Sequence, residues 1–266
     1  MAHHALPACS RLPLQIELAA LLAALARVQS DAWQQHFNRD YYQGDWSGVT
    51  LIGAADAPLP LAPGRGAAQA SAWWQDDTAW HQLLAAFRAP LRSVRLLRLG
   101  PGARIHEHCD PDLGQPDADL RLHVPLLSPP GVEFLLDGLQ VPMQPGECWF
   151  LDLSRPHRVD NPSRQPRIHL VLDCAPCDWL LETIGRGLGQ TPALRPSRGE
   201  QAFADLRERL AQQPELAAHL RSLSDTRDFI DATLRLGEQL GLPFSEAEVR
   251  RAMRQGKQTW NDQWRA

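Results

Sequence analysis

The chain has 266 residues, 44% of them hydrophobic and 22% charged, with a formal net charge of −4. That composition supports a buried core and excludes wholesale disorder, and the length suits one large domain, or one ordinary domain plus a small one. The negative balance argues against sequence-blind nucleic-acid binding as a primary role. Nearly all the positive charge is arginine, since Lys257 is the only lysine.

Residues 1–90 read as a helical and aromatic flank. His3 and His4 fall in an N-terminus expected to be disordered. A short strand is expected over 14–18. Leu18, Leu21, Leu22, Leu25 and Val28 then recur at helical spacing, which predicts an amphipathic helix to about Ser30. Its apolar stretch is bracketed by Glu17 and Arg27 and falls far short of the roughly 20 residues that span a membrane. No basic segment directly precedes it, so a cytoplasmic protein with no membrane partner is expected. The stretch 33–80 is rich in Trp, Tyr, Gly and Pro and has little periodicity. A second helix is expected over 73–89, ending before Pro90.

Residues 91–178 change character. Short apolar runs at 94–99, 104–108, 120–127, 132–136, 139–143, 147–151, 157–159 and 167–172 alternate with turn signals such as Pro101-Gly102, Asp137-Gly138 and Pro145-Gly146. This predicts a mainly β, cupin-like core: a double-stranded β-helix, or jelly roll. Residues 179–198, rich in Gly, Pro and Arg toward their end, read as a linker. Residues 199–266 read as a helical C-terminal domain. Phe203, Leu206 and Leu210 form one stripe, Pro214 opens the next helix, Asp225 caps a third that stops at Gly241, and Ser245-Glu-Ala-Glu248 is a capping box for the last. These helices cover one end of the barrel or bind a peptide or partner.

Five cysteines at wide spacing do not make a disulfide scaffold. Cys174-Ala-Pro-Cys177 is a C-x-x-C following an expected strand. A redox role requires a thiol activated at a helix N-terminus, and the alternative is two reduced structural cysteines.

The chemistry concentrates in Arg104-Ile-His-Glu-His-Cys-Asp110. On an extended strand residues i and i+2 share a face, so His108 and Asp110 would bring an imidazole and a carboxylate to one point. His157, from a later strand, would add a third ligand. Two histidines and one carboxylate on one side of a metal leave three positions open, the arrangement of non-heme Fe(II) oxygenases. Between His157 and Arg167 lies a turn-rich string, 161–166. If the chain reverses there, the two residues face each other on adjacent antiparallel strands and project to the same side. A buried arginine is costly unless paired, and a carboxylate is its best partner. The distal carboxylate of 2-oxoglutarate would serve. Arg121-Leu-His123 adds a second cation and an imidazole at i, i+2.

The order H-x-D, then R-x-H, then Pro145-Gly-Glu-Cys-Trp-Phe-Leu-Asp152, then His157 with Arg167 ten positions on, resembles the aspartyl/asparaginyl β-hydroxylase family. Within it the pattern is nearest to the bacterial L-proline 3-hydroxylases, and the segment Tyr41-Tyr-Gln-Gly-Asp-Trp46 is similar in placement. The resemblance covers residues 90–175. It implies an Fe(II)- and 2-oxoglutarate-dependent dioxygenase that uses O2, with His108, Asp110 and His157 as iron ligands. It also implies Arg167 on the distal carboxylate of 2-oxoglutarate, and Arg121 and His123 near the carboxylate of the co-substrate or substrate. Asp110 follows the branch with a full triad, which animal aspartyl hydroxylases lack. Leu97 stands where those enzymes have a serine that helps hold 2-oxoglutarate. The implied substrate is an amino acid, free or in a peptide, with its carboxylate against Arg121 or Arg95.

Two alternatives stand beside this. Gly100, His106, His108 and Asp112, with His157 and Asn161, approximate the metallocupin spacing G-x5-H-x-H-x3-E and H-x3-N. The ligands would then be His106, His108 and His157, and no 2-oxoglutarate would be used. A non-catalytic barrel binding a small acid or a peptide is the other. The oxygenase reading is favoured because the metallocupin motif requires glutamate where Asp112 stands, and because it leaves Arg167 unexplained.

Overall fold

A computed structural model describes residues 6–263 apart from positions 63, 65, 76, 77, 86 and 116, and side chains only as far as residue 256. His3 and His4 lie outside the described residues. The chain divides into two units, Met1–Arg195 and Pro196–Ala266.

The first unit opens with strand β1 (Cys9–Leu12) and helix α1 (Leu18–Arg27), followed by short strands β2 (Gln34–Gln35) and β3 (Tyr42–Gln43). Then come β4 (Trp46–Ala54), β5 (Ala68–Ala70), α2 (Ala72–Gln75) and α3 (Thr78–Ala85). Eight strands follow: β6 (Leu91–Leu99), β7 (Arg104–His108), β8 (Leu120–Leu127), β9 (Glu133–Leu136), β10 (Leu139–Gln140), β11 (Cys148–Leu151), β12 (His157–Asp160) and β13 (Arg167–Cys174). Helix α4 (Asp178–Gly187) follows, and the two-residue β14 (Arg195–Pro196) falls at the boundary of the unit.

The pairings among β1 to β13 are antiparallel. The strands form an eight-stranded sheet ordered β1-β11-β8-β13-β6-β4-β2, with β5 beside β4, and a six-stranded sheet ordered β14-β10-β9-β12-β7-β3. From β6 onward the chain alternates between the two sheets, and only β9 and β10 are consecutive within one. That alternation is a double-stranded β-helix, as the run-and-turn pattern predicts. The hairpin turn at Asp137-Gly138 has positive φ at both residues, as a two-residue turn of this class requires. Strand β10 is shorter than expected because Pro142 has no N–H to extend the ladder.

The N-terminal flank does more than flank. Its first strand falls at Cys9–Leu12 rather than 14–18, and pairs with β11. The aperiodic stretch conceals β4, nine residues long and paired with β6. Residues Trp46 to Val49 are all buried, so neither face shows the polar alternation that marks a half-exposed strand. The helix expected over 73–89 is two shorter ones, α2 and α3. Residues 179–198 are not a linker throughout, because α4 occupies their first half. Its Leu180 and Ile184 are buried against the large sheet, and the Ser10 hydroxyl donates to the Ile184 carbonyl (2.7 Å). Gly187 allows this close packing, since a Cβ there would stand 2.4 Å from the Arg11 carbonyl. Of the glycines that suggested a linker, Gly187 serves this contact, whereas a Cβ at Gly185 or Gly189 would meet nothing within 4 Å.

The outer face of the large sheet packs against α1, α3 and α4 through Leu21, Trp80, Leu96, Leu122, Leu170 and Leu180. Between the sheets lies a second apolar core, with Trp46, Leu99, Ile105, Phe134, Leu136 and Trp149 among its members. Beside this core the inter-sheet space also holds the ionisable side chains of the site described below. Among the described residues no helix is long and apolar enough to cross a membrane.

The second unit carries α5 (Arg198–Gln212), α6 (Pro214–Ser222), α7 (Thr226–Gln239) and α8 (Glu246–Gln263). Ser197 accepts a hydrogen bond from the Glu200 N–H, and Asp225 accepts from the N–H groups of Arg227 and Asp228. The Glu248 carboxylate accepts from the Ser245 N–H at 2.8 Å, the reciprocal half of the expected capping box.

Candidate metal centre and anion pocket

His108 ends β7 and His157 begins β12, and the two are register partners with ring centroids 4.2 Å apart. Asp110 follows two residues after His108, its N–H held by the Leu153 carbonyl at 2.8 Å. One donor atom from each of His108, Asp110 and His157 lies within 4.8 Å of the others. Both imidazoles are oriented from behind. His108 Nδ1 meets the His106 carbonyl at 2.8 Å and His157 Nδ1 meets the Arg155 carbonyl at 3.0 Å. A carbonyl only accepts, so both Nδ1 atoms carry the proton and both Nε2 lone pairs are free for a cation. Burial pushes the His157 pKa down to about 4, which keeps the ring unprotonated at neutral pH. Two bare nitrogens and a carboxylate oxygen suit a divalent transition metal with open positions.

His106 is not part of this set. Residues 105 and 108 of β7 oppose 159 and 157 of β12, so a β-bulge inserts one extra residue on β7. Ile105 and His108 therefore both point inward, and His106 is turned outward and exposed. The expectation that His106 and His108 share a face fails for this reason. The metallocupin ligand set fails with it. His106→Ala should shift stability by no more than about 0.5 kcal/mol, as for an ordinary surface change, and leave metal binding intact. Metal titration of the purified variant checks this.

Asp110 is held in turn. Its second oxygen accepts from Arg121 Nη1 at 2.6 Å. Arg121 grips Asp173 with two further N–H groups, at 2.7 and 3.2 Å. Asp173 also accepts from the Ser93 hydroxyl at 2.8 Å and from Arg95, and Arg95 donates to the Leu61 carbonyl at 2.8 Å. Asp173 lies opposite Arg121 in the β13–β8 register and opposite Ser93 in β13–β6. The two guanidinium groups outweigh burial and hold its carboxyl well below the usual range. Arg121 and Arg95, expected to meet a substrate or co-substrate carboxylate, are thus bound to carboxylates of the protein itself. Asp173→Ala would strand two buried cations, at a cost of about 3–5 kcal/mol. Thermal unfolding should show a midpoint lower by roughly 10 °C.

Arg167 differs from both. It lies on β13 and is 2% exposed, and no carboxylate among the described residues reaches it. Its hydrogen-bond partner is His169 Nδ1 at 2.8 Å, its Nε is buried without a partner, and the Phe134 ring centroid lies 5.8 Å from the guanidinium carbon. Burial lowers its pKa to about 9. His157 and Arg167 do not lie on paired strands, as the reversal at 161–166 suggests. The chain crosses there from the small sheet to the large one, and the turn is pinned by Asn161 Nδ2 on the carbonyls of Leu99, Gly100 and Gln165. The two residues face a common space from opposite sheets. His123 is buried beside them with Nδ1 3.3 Å from His169 Nδ1 and Nε2 unpartnered.

His108, Asp110, His157, Arg95, Arg121, His123 and Arg167 line one cavity of about 260 Å³. Its other wall comes from the aromatic segment near the N-terminus: His36, Phe37, Tyr41 and Trp46. His36 stacks on Trp46 (3.5 Å between centroids), and burial lowers its pKa to about 4. The residues absent from the sequence reading are His36 and Asp173. Asp173 had a signal, since Arg167, His169, Val171 and Asp173 alternate along one strand with three ionisable groups on one face.

Within the C-x-x-C, Cys177 stands at the N-cap of α4 but Cys174 is not set up as an activated thiol. Cys174 is buried at the end of β13, and burial, then the Asp173 charge, push its thiol pKa upward, opposite to an activated thiolate.

A sequence model described as aspartyl/asparaginyl beta-hydroxylase matches residues 14–176. No curated protein matches the chain. Among solved structures, it is similar to an oxidoreductase of the 2OG-Fe(II) oxygenase family from Burkholderia pseudomallei (17% identity, 60% of this chain and 78% of that one, TM-score 0.38). It is also similar to a Pseudomonas putida prolyl-4-hydroxylase (18%, 64% and 92%, TM-score 0.38) and to a predicted oxalate decarboxylase from Thermotoga maritima (16%, 56% and 98%, TM-score 0.34). At these identities and TM-scores the likenesses bear on neither substrate nor chemistry.

Proposed function

The chain belongs to the aspartyl/asparaginyl β-hydroxylase family and is a 2-oxoglutarate-dependent hydroxylase, and on that premise we propose that its substrate is an amino acid, free or within a peptide. His108, Asp110 and His157 hold Fe(II), and Arg167 anchors the distal carboxylate of 2-oxoglutarate. The observation that carries this reading is Arg167: a buried cation with no carboxylate beside it among the described residues, facing the same cavity as the three ligands.

The orphaned Nε of Arg167 and the two free imidazole nitrogens fit the implied groups. Bound Fe(II) would supply oxidative decarboxylation of 2-oxoglutarate by O2, giving succinate and CO2 and placing one oxygen atom in a substrate C–H bond. The chain itself orients. Backbone carbonyls fix both histidine tautomers, and Arg121 fixes the Asp110 carboxylate so that one oxygen faces the cavity. The aromatic wall and the apolar core beneath it exclude water from the reacting space. A carboxylate on the substrate must share the field of Arg95 and Arg121, whose charges Asp173 and Asp110 largely neutralise.

A screen of free amino acids and short peptides for 2-oxoglutarate turnover by the full chain tests the substrate class. Stimulation of succinate formation by one of them, with product heavier by one oxygen, is the expected result. Stimulation only by compounds that lack an amino-acid backbone would sink it.

A further inference from the structure

Arg167 carries five N–H donors on a long side chain, and a buried cation that wanders presents no defined edge to a ligand. Two contacts define its pose: the Phe134 ring to one side and His169 Nδ1 at 2.8 Å. A guanidinium only donates, so His169 Nδ1 accepts and the proton of that imidazole sits on Nε2. His123 Nδ1 lies 3.3 Å from the same atom. An imidazole nitrogen has one lone pair and the shorter contact, with Arg167, takes it; His123 stands beside that contact with its Nε2 buried and unpartnered. Burial, and the Arg167 charge after it, hold both imidazoles neutral, and a protonated His169 would set a second cation against Arg167.

We propose that His169 is a positioning residue: its Nδ1 takes one N–H of Arg167 and thereby fixes the guanidinium edge offered to a dicarboxylic co-substrate. The proposal rests on the reading of Arg167 as the 2-oxoglutarate anchor. His123, on the neighbouring strand, and Arg167, on the same strand, thus both approach His169 Nδ1.

The test is equilibrium binding of 2-oxoglutarate to the full chain loaded with Mn(II), which avoids turnover. His169→Leu removes the acceptor and should weaken 2-oxoglutarate binding at least about 10-fold, as for loss of a hydrogen bond to a charged group, with Mn(II) affinity unchanged. His169→Asn can place its side-chain oxygen where Nδ1 stands and should restore most of that loss. Unchanged binding in His169→Leu, or His169→Asn as weak as His169→Leu, overturns the proposal. Should the leucine variant not fold, ¹⁵N-histidine spectra of the unmodified protein decide the matter. His169 is expected with Nδ1 unprotonated and Nε2 protonated, and the reverse tautomer overturns the assignment. Arg167→Met separates the two levels. If it binds 2-oxoglutarate as tightly as the unmodified protein, the anchor reading itself has failed. If it binds weakly and His169→Leu does not, only the role of His169 has.

Discussion

His108→Ala and Asp110→Ala should each abolish 2-oxoglutarate-dependent succinate formation while the protein remains folded. Loss of a group that merely supports a ligand costs 10–100-fold in typical metal sites, so loss of a ligand should exceed about 100-fold. The fold should survive because neither side chain belongs to the apolar cores. His108 and Asp110 are only partly buried, at the end of β7 and just beyond it. The asymmetry between the two is informative. His108→Ala leaves Asp110 on Arg121, whereas Asp110→Ala also frees the Nη1 group of Arg121. The aspartate variant should therefore lose slightly more stability than the histidine variant. Circular dichroism and thermal unfolding establish the fold, metal titration the affinity, and succinate release the activity. Succinate formation that survives in either variant would remove that residue from the ligand set.

Arg167→Met should act with opposite signs on ligand binding and on the ligand-free fold. Truncating one partner of a buried charge pair costs about 2–5 kcal/mol, so 2-oxoglutarate should bind at least about 30-fold more weakly. The ligand-free protein should gain stability, since a desolvated cation without an anion is replaced by an apolar side chain of similar length. Comparable replacements are neutral to stabilising by about 1–4 kcal/mol. The depressed pKa of Arg167, caused by burial, is the same penalty seen through protonation. Calorimetry with and without 2-oxoglutarate reads both effects in one experiment. A ligand-free protein that loses several kcal/mol would mean that Arg167 has a structural counter-charge after all.

The candidate ligands were legible because their signal is local or rests on spacing. H-x-D is three residues long, and the histidine and arginine ten apart lie in a recognisable strand-turn-strand pattern. The eight core strands were legible because each carries its own apolar run and is bounded by Gly, Pro or Asp-Gly. Four misreadings have a common origin in long-range contact. β4 hid because burial on both faces erased its alternation. α4 hid because Gly185, Gly187 and Gly189 resemble a linker until Arg11 packs on Gly187. His106 looked equivalent to His108 because a single β-bulge, invisible in one strand, decides which side chain turns inward. Arg121 looked available because its two carboxylate partners, Asp110 and Asp173, are 11 and 52 residues away.

Composition, period and motif order determined that this chain would build a jelly roll with a His-Asp-His group and a nearby arginine, for those properties depend on neighbours in sequence. Which arginine remains unpaired was decided only by the tertiary structure. Arg95, Arg121 and Arg167 are alike as residues, and all point into the barrel from the large sheet. Register sets Asp173 opposite Arg121 and diagonal to Arg95, and sets only a neutral histidine beside the third. A buried charge with no carboxylate beside it among the described residues, which no local pattern can reveal, is what the proposed binding of a dianion rests on.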